Sequence, residues 1–89
     1  MVYVKRLVLD ILKPHQPNAL EFSSNLAEVG DDYHVHMDVL EVDEKTETVK
    51  VAVCGSSIDF EAIKTIITSL GGSLHSIDEV EVHSETDVD

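Results

Sequence analysis

The chain nearly repeats itself at an offset of 41 residues. Ala19, Phe22, Leu26 and Val29 recur as Phe60, Ile63, Ile67 and Leu70, apolar positions at helical spacing in each half. Gly30 then maps onto Gly71, and a strand-like run follows each glycine. Two such stripes, each flanked by strands, restrict the chain to two strand–helix–strand halves joined in one sheet.

The halves are legible element by element. Tyr3 to Leu12 is rich in Val, Leu and Ile and reads as a buried strand, ended by Lys13-Pro14-His15-Gln16-Pro17. Asn18 and Glu21 have capping-box spacing, so a helix is expected from there to about Val29, with Gly30 as a left-handed C-terminal cap. Tyr33, Val35, Met37 and Val39 alternate with His34, His36 and Asp38, the period of a strand. Glu44-Lys45-Thr46-Glu47 reads as a hairpin turn leading into Val49, Val51 and Val53. Hydroxyls of Ser56 and Ser57 are expected to cap the second helix, with Asp59 and Glu61 in its first turn. That helix closes at Leu70 with Gly71-Gly72, and Leu74 to Val82 forms the last strand.

The order is β-α-β-β-α-β: an α+β, ferredoxin-like sandwich, one four-stranded antiparallel sheet with two helices on one face. Its usual strand order, 4-1-3-2, places Lys5 and Arg6 across from Glu79 and Glu81, pairs that set register more than stability. A single domain over residues 1–82 is expected. The acidic stretch 83–89, without apolar period, reads as a frayed tail.

The repeat strains in the first strand. Carried back by 41 residues, the core parity of Val49, Val51 and Val53 puts Val8, Asp10 and Leu12 on the helix-covered face. Two readings stay open: Asp10 is a buried, bonded carboxylate, or the strand is shifted by one and Asp10 points outward. On either, an open face carrying Leu7, Leu9 and Ile11, or Val4, Val8 and Leu12, would need covering. A homo-oligomer built through the open sheet face or an edge strand is therefore expected.

Charge narrows the partners. Eighteen acids against six Lys and Arg give −12, which argues against nucleic acid or an anionic membrane. Two Tyr, two Phe and no Trp offer no aromatic strip for bases. No apolar run approaches the roughly 20 residues of a membrane span, and no secretory leader is visible at the N-terminus. The lone Cys54 has no internal disulfide partner, which fits a cytoplasmic setting. The acidity also suits a salt-rich cytoplasm.

Two constellations carry chemistry. His34, His36 and Asp38 alternate on one face of a strand, with Cys54 expected beside them. Two imidazoles, a thiol and a carboxylate suit zinc or another borderline divalent metal, with affinity rising with pH. The alternative is a plain exposed strand face with Cys54 as a small filler. The second constellation is Asp10, His15, His75 and Asp78, expected at one sheet edge near the first helix. It would hold a cation or a small polar ligand, or support acid–base chemistry with Asp10 or Asp78 as base and His75 as acid. Its structural alternative has Asp10 capping the Pro14–Pro17 turn and His75 bonding a carbonyl. The acidic hairpin Glu41, Asp43, Glu44 and Glu47 lacks calcium-loop spacing, and the glycines form no phosphate-binding fingerprint.

Arg6-Leu7-Val8-Leu9-Asp10-Ile11-Leu12-Lys13-Pro14-His15 resembles the opening of a small archaeal family known only as domain of unknown function 211. Glu41-Val42-Asp43 with Thr46-Glu47, Ile58-Asp59-Phe60 and Gly71-Gly72-Ser73-Leu74-His75-Ser76-Ile77-Asp78-Glu79-Val80 are similar to it as well. The resemblance covers residues 3–80 and implies a ferredoxin-like fold, a homo-oligomer and an archaeal cytoplasm. It brings no activity. It favours Asp10, His15, His75 and Asp78, which lie in the similar segments, over His34 and His36, which do not. Three readings follow: a metal- or small-ligand-binding, regulatory module; a small acid–base enzyme; a structural or adaptor subunit.

Overall fold

The computed structural model describes residues 1–86. Its elements are β1 (Val2–Pro14), α1 (Ala19–Ala27), β2 (His34–Val42), β3 (Thr46–Cys54), α2 (Phe60–Ser69) and β4 (Ser73–Ser84). The strands form one antiparallel sheet in the order β2-β3-β1-β4, the expected topology. The chain thus folds as the ferredoxin-like α+β sandwich its repeat implies.

Each helix starts on a side-chain cap. The Glu21 N–H donates to Asn18 Oδ1 at 2.9 Å, as the capping-box spacing predicts. In α2 the cap is Asp59, whose Oδ1 accepts from the Ala62 N–H at 3.1 Å, not the serines before it. The Asp59 N–H is itself bonded to the Tyr33 hydroxyl at 2.7 Å, and the helix starts two residues later than a Ser57 cap would place it.

The two glycine stops differ. Gly71 has φ +84° and completes a Schellman turn: its N–H reaches the Thr68 carbonyl, and the Gly72 N–H reaches that of Ile67. Gly30 is not left-handed, and α1 already ends at Ala27 with Glu28 as C-cap. What Gly30 provides is room, because a Cβ there would collide with the Tyr33 ring.

The core lies between the helices and one sheet face. Leu7, Leu9 and Ile11 of β1 pair across to Val53, Val51 and Val49 of β3, and Phe22, Leu26, Ile63 and Ile67 close over them. The first strand is therefore shifted by one against the repeat, and Asp10 points to the open face. Neither apolar set expected there sits on that face intact. Leu7, Leu9 and Ile11 face the helices, and Val4 packs on the same core, which leaves Val8 and Leu12.

Three β-bulges on the β1–β4 ladder adjust what each face receives. The register skips Lys5 in β1, and His75 and Asp78 in β4. Lys5 consequently leaves the expected row of pairs and bonds Glu85 at 2.8 Å, while Arg6 meets Glu79 at 2.9 Å as expected. β4 runs on to Ser84, with His83 opposite Tyr3, so the stretch expected to fray begins as strand. The rest of that expectation, residues 87–89, lies outside the described residues. Among the described residues, no helix is long and apolar enough to cross a membrane.

Candidate functional site

The face of the sheet away from the helices is built in rows that cross all four strands. Register aligns His34, Cys54, Arg6 and Glu81 in one row, then His36, Ala52, Val8 and Glu79 in the next. Asp38, Lys50, Asp10 and Ser76 form the third. Successive rows are two residues, about 7 Å, apart along the strands. The middle row is low because Val8 and Ala52 are short. A concavity of about 270 Å³ lies over it, with Arg6 on one side and Lys50, Asp38 and Asp78 on the other.

The bulge at Asp78 completes the site. In a regular strand Asp78 and Glu79 would point to opposite faces, whereas here both line the concavity. Ser76 Oγ donates to Asp78 Oδ1 at 2.7 Å, and Lys50 Nζ lies 3.7 Å from Oδ2. Opposite, Arg6 donates through Nε to Glu79 and through Nη1 to the Cys54 sulfur at 3.3 Å. Glu79 first, then Cys54, holds the guanidinium charged even beyond its ordinary range. The result is a shallow pocket with an apolar floor and walls of both charge signs.

The structure divides the first predicted quartet. Asp10 and Asp78 reach the open face within one strand of each other, flanking Ser76 and Lys50. His75 is exposed in its bulge and does not line the concavity. His15 sits elsewhere, at the end of β1, where Nδ1 lies 2.8 Å from Glu47 Oε2 and Nε2 lies 3.0 Å from the Glu44 carbonyl. The other Glu47 oxygen accepts from Lys13 Nζ at 2.9 Å, and this lysine is fully buried on the core face. Glu47, backed by the Glu44 carbonyl, raises the His15 pKa. His15 and then Lys13 lower that of Glu47.

The second predicted set shares a face, as the hairpin register requires, with His34 directly opposite Cys54. It does not converge. Cys54 faces the Arg6 guanidinium, a cation where a metal ion would sit, and His36 Nε2 lies 3.3 Å from Asp38 on its own strand. Among the described residues no three His, Cys, Asp or Glu side chains gather as a metal site. Sequence reasoning assigned Arg6 a register role only and passed over Lys50. Their one signal is parity, since both share the face of Asp10.

The fold and this surface define a small open-faced sandwich with a polar pocket on its uncovered sheet. Residues 5–86 match the model of the family domain of unknown function 211, described as uncharacterized ArCR, and the chain belongs to that family. It is similar to a protein of the archaeon Methanocaldococcus jannaschii named only as uncharacterized, 47% identical over 77 residues. That alignment spans 86% of this chain and 79% of the relative.

Proposed function

We propose that this protein is a non-enzymatic module that binds a small polar ligand on the open face of its sheet and works as a homo-oligomer. The observation that carries the reading is the two-signed pocket over Val8 and Ala52, set on a face that no element among the described residues covers. Charged groups beside an apolar floor act with less solvent screening than on a convex surface, which is where a small charged solute gains most. Binding is favoured over the expected acid–base chemistry because the histidines predicted for it are not with Asp10 and Asp78: His75 is outside the pocket, and His15 is held by Glu47. His36, which does line the pocket, is 74% exposed beside Asp38 and, among the described residues, has no nucleophile next to it there.

For self-association the edge strands are the better surface. On the helix side of β4, Ile77, Val80 and Val82 are 45–53% exposed, and Val39 and Val42 on β2 are as open. Two apolar edges with unpaired backbone groups suit copies joining β2 to β4, and such pairing leaves the pocket free. The test is a thermal-shift screen of amino acids, amines, carboxylates, phosphate and divalent metals, with light scattering for assembly. A saturable rise in Tm that Asp38→Asn abolishes supports the reading. No ligand raising Tm, with a monomer at all concentrations, would overturn it.

A further inference from the structure

Resting on that reading, we infer that the pocket takes a linear ω-amino acid: a carboxylate at one end, a primary ammonium at the other, and methylenes between. Polarity along the strands decides this. The third row and its bulge bring two lining carboxylates, Asp38 and Asp78, to the single ammonium of Lys50, with Asp10 at the register position opposite that lysine. That ammonium is only loosely engaged, 3.7 Å from Asp78 and 45% exposed. This end of the pocket has negative charge in excess, which a second ammonium would balance.

The other end offers unused donors beside an ion pair, since Arg6 is already matched in charge by Glu79. Arg6 spends two of its five N–H groups on Glu79 and Cys54, leaving three donors in a planar fork suited to a carboxylate. Between the ends the floor is Val8, only 6% exposed, and Ala52, both apolar. The polar side chains of that row, His36 and Glu79, stand at its two sides, beside Asp38 and Arg6 respectively. The Arg6 and Asp10 rows are about 13 Å apart along the sheet. Side chains leaning in from both ends shorten that span to the reach of a short aliphatic chain, while an α-amino acid places its two charges too close together to meet both. The cavity of about 270 Å³ sits just below the usual range for small-molecule sites, which also favours a slender ligand.

The experiment is isothermal titration of the full chain with 6-aminohexanoate, hexanoate, 1,6-diaminohexane and glycine. Asp38→Asn and Lys50→Met serve as variants, since both alter exposed positions of the sheet and leave the core intact. Saturable binding of 6-aminohexanoate is expected, at least tenfold tighter than any of the other three. It should weaken at least tenfold in Asp38→Asn and strengthen or hold in Lys50→Met, which removes the competing ammonium. Preference for the diamine, hexanoate or glycine overturns the inference and leaves the polar-ligand pocket standing. No binding of any of the four, with another solute of the screen bound and lost in Asp38→Asn, does the same. No saturable solute at all overturns both.

Discussion

One strand, β1, delivers a cation to each face of the sheet, and the two settings are opposites. Lys13 lies on the core face, fully buried, with its Nζ shared between Glu47 and the Pro14 carbonyl and 5.9 Å from the centre of the Phe22 ring. Arg6 lies on the open face, 38% exposed, with donors to spare. The first arrangement is saturated: Glu47 uses both oxygens, and His15 uses both ring nitrogens. A saturated buried cluster can only hold structure, here the β2–β3 hairpin against the β1 exit. An open, undersaturated one can accept something else.

Substitution should break this comparison most sharply at Glu47. Glu47→Ala strands a buried ammonium and is expected to cost about 3 kcal/mol. Chemical denaturation checks this. Adding Lys13→Met, which removes the stranded charge, should recover most of the loss. Glu79→Gln on the open face, by contrast, should leave the denaturation midpoint nearly unchanged, because exposed ion pairs contribute little. Equal losses at the two sites would erase the distinction.

The pH dependence of stability comes next in size, and its sign follows from the same cluster. The raised His15 pKa gives stability present in full below the ordinary imidazole value of 6.5 and lost as pH climbs through the folded value. The lowered Glu47 pKa gives stability present above its ordinary 4.5 and lost as pH falls through its folded value. Their joint contribution peaks between about pH 4.5 and 6.5. Wild-type Tm should therefore fall from pH 6 to pH 8.5 more than that of His15→Gln, as scanning calorimetry would show. A parallel fall in both proteins would remove His15 from the account.

The smallest effect expected is the response to salt. With net charge −12, self-repulsion should be screened by molar KCl and Tm should rise modestly, whereas the buried Lys13–Glu47 pair should respond little. A Tm that falls or stays flat from low to molar salt would speak against an acidic surface adapted to brine.

The fold was legible because the 41-residue offset keeps its helical stripes and the Gly71 stop. The facing of β1 was not, because Leu7 through Leu12 is apolar on both parities apart from Asp10, so only pairing with β3 decides it. The buried Lys13 could not be read either. Its partner Glu47 is 34 residues away, on what reads as a solvated turn. The open-face pocket was half visible: Asp10 and Asp78 stood out as charges on apolar positions. The bulge that turns Asp78 onto the same side as Glu79, and the row that sets Lys50 beside Asp10, exist only once four strands are in register. His15 and His75, which shared sequence segments with the two aspartates, are placed elsewhere by the β1 exit and the bulge at His75.

The most direct test of a binding face is to watch each backbone amide while ligand is added. In a titration followed by two-dimensional ¹H–¹⁵N NMR, 6-aminohexanoate should shift the amides of Arg6, Val8, Asp38, Lys50, Ala52 and Asp78. Those of Lys13, His15 and Glu47 should stay in place. Saturable shifts centred on the Lys13–Glu47 end, or none on the open face, would contradict the account.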